Sequence, residues 1–129
     1  MGEWTAADAV AAVERYVAGV SASDIDAIVA LFTEDAELRD PYDGDTHRGH
    51  DALRAFYAAG AGAVERFSLD GAVRVTADAR SAAAPLVCEA DIGGAKLNIH
   101  TIDVFFFADD GRFAAMHAFY GPTNVAPRG

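Results

Sequence analysis

The apolar pattern of this chain changes period part-way along, and that change constrains the fold more than any other feature. Up to about residue 60, apolar residues recur at three- and four-residue intervals; from residue 68 they alternate. Thr5 and Asp8 form a capping pair ahead of Val10, Val13, Val17 and Val20, with Tyr16 on the same stripe. Ser23-Asp24-Ile25-Asp26 starts a second helix carrying Ile25, Ile28, Val29 and Phe32 on one face. A third is predicted from Asp51 to Ala59, with Leu53, Phe56, Tyr57 and Gly60 in register. Between the second and third helices, a short strand from Ala36 to Asp40 turns Ala36, Leu38 and Asp40 to one side and Glu37 and Arg39 to the other. Strands are predicted at about 67–78, 81–92, 95–108 and 112–120, with Gly93-Gly94 and Asp109-Asp110-Gly111 as hairpin turns. Residues 126–129 are expected to fray. Helices followed by an antiparallel meander define an α+β class with the helices on one sheet face. With 129 residues and no internal repeat, residues 1–129 are expected to form one domain.

Charge and composition narrow the partners. Ten Lys and Arg against 20 Asp and Glu give a net charge of −10. No basic stripe exists to neutralise phosphates, so nucleic acid is excluded, and an anionic membrane surface would repel the chain. The apolar runs fall well short of the roughly 20 residues of a membrane span. The start, Met1-Gly2-Glu3-Trp4, has no basic-then-apolar signal pattern, and the lone Cys88 can form neither an internal disulfide nor a cysteine-based zinc site. A cytoplasmic protein is expected, acting on neutral or weakly polar molecules or on other proteins.

Few groups invite chemistry. His47 and His50 near Asp43 and Asp45 sit in a Gly/Asp-rich loop without sustained ligand geometry, so no metal is expected. His100 and His117 read as satisfied sheet histidines. Cys88, among Leu86, Val87 and Ala90, reads as an inert core thiol. No nucleophile elbow, phosphate loop or dinucleotide fingerprint is present. Three residues are less ordinary. Asp40 ends the inner face of its strand before Pro41, and on pattern alone reads first as a turn aspartate. Asp103 interrupts the apolar face Leu97, Ile99, Thr101, Phe105 and Phe107, and must pair with a cation or stay protonated. Tyr16 in isolation reads as a core tyrosine with a partnered hydroxyl. Together, one phenol and two carboxyls point into an interior otherwise offering Val20, Phe56, Leu86, Ile99, Met116 and Ala118. That combination describes an acid–base enzyme or a binder for a flat apolar ligand.

Arg15-Tyr16-Val17, Asp24-Ile25-Asp26-Ala27-Ile28-Val29, Asp40-Pro41, Ala55-Phe56-Tyr57, Ile102-Asp103-Val104 and the stretch from Met116 to Asn124 resemble bacterial ketosteroid isomerase. The likeness runs from about residue 8 to 125. It implies the NTF2-like, SnoaL-like cone: three N-terminal helices packed on a curved, mostly antiparallel sheet around an apolar pocket. It also implies conversion of 3-oxo-Δ5 steroids to the Δ4 form without metal or organic cofactor. Asp40 would be the base moving a proton from C4 to C6, the division of carboxyl roles known from ketosteroid isomerase itself. Tyr16 and a protonated Asp103 would hold the 3-oxygen, Tyr57 would polarise Tyr16, and Tyr120 would pack beside Asp40 over the ligand. Phe32 stands where some members carry a further tyrosine, and Arg39 where an acidic residue can occur; Arg39 should face outward but could lower the pKa of Asp40. A homodimer is implied, in keeping with the apolar outer positions Ile102, Val104, Phe106, Phe113 and Phe119. The alternatives are a non-catalytic binder of steroid-like ligands, or another cyclase or lyase on the same fold.

Overall fold

The computed structural model describes residues 3–129. Helix α1 (Ala6–Ser21) opens with the expected capping box, in which the Thr5 side chain accepts from the Asp8 amide and the Asp8 carboxylate accepts from the Thr5 amide. Its fully buried stripe is Ala9, Ala12, Val13, Tyr16 and Gly19, while Val10, Val17 and Val20 are only half-buried. Gly19 lets α2 (Ile25–Ala30) approach closely: a Cβ there would lie 3.1 Å from Ile28 Cγ1. Helix α2 is capped by Asp24 and ends before Phe32. Phe32 instead starts β1 (Phe32–Arg39), pairing with Phe113 and losing all its exposure, so the strand begins four residues ahead of the sequence expectation.

After β1 the chain forms β2 (Thr46–Arg48), a strand within the segment expected to be a loop, then α3 (His50–Gly60). The expected strand 67–78 is two pieces, β3 (Val64–Leu69) and β4 (Arg74–Val75), broken at Asp70-Gly71. Gly71 has φ +147°, and Pro85 on the facing strand lies 3.2 Å from where its Cβ would be. Strands β5 (Ser81–Ile92) and β6 (Ala95–Phe107) form the long central hairpin. Its turn needs two left-handed residues, supplied by Gly93 (φ +61°) and Gly94 (φ +93°). Strand β7 (Phe113–Phe119), a short 3₁₀ turn at Pro122–Asn124 and β8 (Val125–Pro127) complete the chain.

The strands run in the order β2-β1-β7-β6-β5-β3, with β4 beside β5 and β8 beside β6. All pairings are antiparallel except β1 with β7, which is parallel. The sheet is curved and open, and with three helices it matches the α+β class expected. The C-terminal residues are paired instead of frayed. Strand β8 lies along β6, and the Arg128 guanidinium bonds Glu89 (3.1 Å), Glu65 and the Ala90 carbonyl (3.2 Å).

One expected outer residue faces inward. The register of β6 and β7 slips so that Phe107 faces Phe113 while Phe106 faces Ala115, leaving Ala114 as an extra residue. This β-bulge reverses the alternation, and Phe113 is 0% exposed. It joins Phe32, Phe67 and Phe105 in a ring of aromatics set edge-on around Tyr16, with centroids 5.2–6.2 Å from it. Edge-to-face contacts of this kind contribute roughly 0.5–1.5 kcal/mol each beyond area burial. On the outer face, Ile102, Phe106 and Phe119 remain 39–49% exposed.

Candidate active site

Between the helices and the sheet lies a cavity of about 840 Å³. Its walls are mostly apolar: Val20, Ile25 and Ile28 from the first two helices, Ala52, Ala55, Phe56 and Ala59 from α3, and Phe67, Ala90, Ile92 and Ile99 from the sheet. Tyr16, Asp40, Tyr57, Asp103 and Tyr120 all open into it. Of the residues expected to contact a ligand, Val20, Phe56, Ile99 and Tyr120 line this cavity. Leu86, Met116 and Ala118 do not; they are at most 1% exposed and pack within the core. Leu86 is clamped between Leu69 and Thr101, and Met116 sits between Leu38 and Phe105. Ala118 lies beside Asp103 on the adjoining strand.

Tyr16 reaches the cavity because its ring is held by the core aromatics while its hydroxyl meets that of Tyr57 at 2.7 Å. Burial foremost, then the neighbouring phenol and the charges of Asp103 and Asp40, push its pKa well above the usual tyrosine range. Phe32 lies edge-on to Tyr16 and adds no hydroxyl, so the Tyr16 hydroxyl is bonded to that of Tyr57.

Asp40 follows the last residue of β1, on the side of the buried Ala36 and Leu38. The Tyr42 amide bonds the Ala118 carbonyl (2.7 Å), tying the turn beyond Asp40 to β7. Burial raises the Asp40 carboxyl to about 6. Arg39 does not offset this; it turns away, with its Nε 3.6 Å from Glu37 and its guanidinium over the Tyr42 ring.

Asp103 is 2% exposed, and across the sheet it faces Ala84 on β5 and Ala118 on β7. Among the described residues no cation pairs with it, which removes the reading of a buried Asp–Arg pair. Desolvation, and then the charge of Asp40, raise its carboxyl to about 8, against a smaller lowering by the Thr101 hydroxyl 2.8 Å away. At neutral pH the cavity therefore holds one carboxylate and one carboxylic acid.

The remaining groups fall into place around this pair. His47 is half-buried on the cavity wall with its ring 5.0 Å from Phe56, not in a free loop. His50 bonds the Phe32 carbonyl (2.9 Å). His117 meets Glu37 at 2.8 Å as a satisfied sheet histidine, whereas His100 lies 3.6 Å from Asp70 and is half-exposed. Cys88 lines the cavity instead of the core, and burial pushes its thiol up to about 11, which keeps it unreactive. Thr101 was missed by sequence reading; its place two residues before Asp103 on the same strand face was the available signal. No cluster of three or more His, Cys, Asp or Glu groups suited to a metal occurs among the described residues, and no helix there is long and apolar enough to cross a membrane.

A family model for the SnoaL-like domain matches residues 13–116. The chain belongs to the SnoaL-like family. Within it, the chain is similar to a steroid Delta-isomerase of Nocardioides simplex, with 38% identity over 119 residues, 92% of this chain and 94% of the relative. Among solved structures it is similar to SalBIII, described as an epoxide hydrolase/cyclase-like enzyme in pyran ring formation in the polyether salinomycin. That match has a TM-score of 0.88 and 28% identity, covering 95% of this chain and 97% of the other. The SnoaL-like assignment agrees with the NTF2-like architecture described above.

Proposed function

We propose that this chain isomerises 3-oxo-Δ5 steroids to the conjugated Δ4 form, residues 1–129 working as one domain. The carrying observation is that Asp40, Asp103 and the Tyr16–Tyr57 pair share one apolar cavity, with the two carboxyls raised to different values on either side of neutrality. A carboxylate near 6 is mostly ionised at pH 7 and basic enough to accept a proton from carbon beside a ketone held in the site. Asp40 takes the C4 proton, giving a dienolate, and returns it to C6. The negative charge gathers on the 3-oxygen, where Tyr16 and neutral Asp103 donate hydrogen bonds prepared in advance of the reaction. Tyr57 polarises Tyr16 through their shared bond. Proton leaves and proton returns, so the reaction balances without metal, organic cofactor or added water.

The apolar walls suit a fused-ring hydrocarbon, with Phe56 and Tyr120 among the aromatic groups that line them. The likeness to the Nocardioides simplex enzyme supports the same reading. Mixing the protein with 5-androstene-3,17-dione should produce the absorbance of the conjugated enone. No absorbance change at micromolar protein refutes it. A second reading, epoxide opening by the acid–base pair, draws on the likeness to SalBIII. It predicts turnover of a hydroxy-epoxide with no action on the steroid.

A further inference from the structure

The two carboxyl oxygens of Asp103 are not equivalent. Thr101 and Asp103 alternate onto the same inner face of β6, and the Thr101 hydroxyl lies 2.8 Å from Oδ1. Across the sheet Asp103 faces only Ala84 and Ala118, whose methyl groups can neither donate nor accept. Thr101 is thus the side chain hydrogen-bonded to this carboxyl among the described residues. Both residues line the cavity.

We propose that Thr101 is a positioning residue: by donating to Oδ1 it leaves the acid proton of Asp103 to Oδ2, the oxygen free to donate to a ligand oxygen in the cavity. A neutral carboxyl can carry its proton on either oxygen and in either rotamer. A hydroxyl donating to one oxygen makes protonation of that oxygen unfavourable and fixes the plane of the group. Without Thr101 the acid still exists, but its donor direction is no longer set. The same hydroxyl stabilises the ionised form, so it also holds the acid strength of Asp103 above what burial alone would leave. This inference rests on Asp103 acting as an acid donor in the proposed reaction.

The other titratable groups facing Asp103 are Tyr16 on α1, Asp40 at the end of β1, Tyr57 on α3, Cys88 on β5 and Tyr120 beyond β7. All are common to the variants that test the idea. Thr101→Val keeps the shape and removes the donor; Thr101→Ser restores it. Two readouts are taken: the Asp103 carboxyl titration, followed by ¹³C NMR of the aspartate side chains and assigned with Asp103→Asn, and the pH profile of kcat on 5-androstene-3,17-dione.

The expected result for Thr101→Val is an Asp103 titration moved to higher pH, with the alkaline limb of the rate profile moving alongside it. Plateau kcat should fall roughly five- to tenfold, the scale of one misdirected neutral hydrogen bond. Thr101→Ser should return all three toward the wild type. An Asp103 titration that is unmoved or lowered in Thr101→Val overturns the proposal, as does failure of serine to rescue it. A simple packing role would instead lower the melting temperature and leave the titration in place, which also overturns it. Absence of steroid turnover in the wild type overturns the isomerase reading and with it the ligand-directed role, whereas the NMR titration separates that outcome from a failure of the Thr101–Asp103 bond.

Discussion

Replacing Asp103 with asparagine should make the protein more resistant to unfolding as pH rises, in proportion to how far burial has displaced its carboxyl. In the native state that group titrates at about 8, against 3.8 for an ordinary aspartate. Below pH 3.8 the carboxyl is protonated in both folded and unfolded chains and has no effect on their balance. Between the two values the unfolded chain releases the proton while the native chain retains it, so unfolding is favoured increasingly with pH. Each pH unit in that window removes about 1.4 kcal/mol, and the full loss comes to about 6 kcal/mol. Above the native value both states are ionised and the dependence flattens. Asparagine keeps the shape and the polar contact to Thr101 but has no proton to lose. Its amide introduces an offset that does not vary with pH, so the informative quantity is the difference in slope between variant and wild type.

The assay is urea unfolding of both proteins at intervals from pH 5 to 9, with stability plotted against pH. Asp40 and the surface carboxylates contribute to both curves and cancel in the difference. The difference should grow by about one proton's worth per pH unit from pH 5 to about 8 and then level off. Parallel curves would mean that Asp103 has the same acidity folded and unfolded, and would remove the basis for a neutral donor at physiological pH.

Three further outcomes follow from the same geometry. Asp40→Asn should retain the fold and steroid affinity yet lose most turnover, because an amide cannot accept the C4 proton, and wild-type kcat/KM should fall as pH drops through about 6, where Asp40 becomes protonated. Wild-type turnover in that variant, or an acid limb well away from that value, contradicts the base assignment. Asp103→Leu should lose roughly 10²–10³ in kcat, and Asp103→Asn clearly less because it still donates; equal losses in steady-state assays rule the donor role out. The exposed Ile102, Phe106 and Phe119 form an apolar outer face that a second copy would cover, so sedimentation at micromolar concentration should give a homodimer, and a mass near 13.5 kDa would refute it.

What the sequence made legible was local. The Thr5–Asp8 box, the Asp24 cap and the β5 bounds can be read because caps and alternation depend on neighbours in the chain. Strand β2, strand β8 and the parallel pairing of β1 with β7 could not, because each exists only through a partner strand far along the sequence. Phe113 shows the same limit at a single residue: parity assigned it to the outer face, and one bulged alanine in β7 reversed it. The site was read well in chemistry and less well in extent. Alternation says which face of β6 a residue occupies but not how far under the helices it lies. Ile99, Thr101 and Asp103 therefore open on the cavity, while Phe105 and Phe107 on the same face are sealed in the core. Met116 was assigned to the cavity by face alone and belongs to the sealed end.

The boundary between those two regions runs through Tyr16. Its ring belongs to the core, edge-on to Phe32, Phe67, Phe105 and Phe113, while its hydroxyl belongs to the cavity through Tyr57. Asp103 lies two residues before Phe105 on the same strand face, so the aromatic ring that holds Tyr16 is anchored to the strand that carries Asp103. The two proposed donors are therefore held by one packed cluster and not by a mobile loop. The aromatic core that offsets the cost of burying the Asp103 carboxyl is also the one that packs around the Tyr16 ring. Stability and donor geometry are then linked through Phe105 and Phe113. A truncation such as Phe113→Ala opens a cavity beside Tyr16 and removes about 3–5 kcal/mol from the core. It should lower kcat as well as the melting temperature, although Phe113 does not line the cavity. If rate stays at the wild-type level while stability falls, the donors are positioned by something other than the aromatic ring.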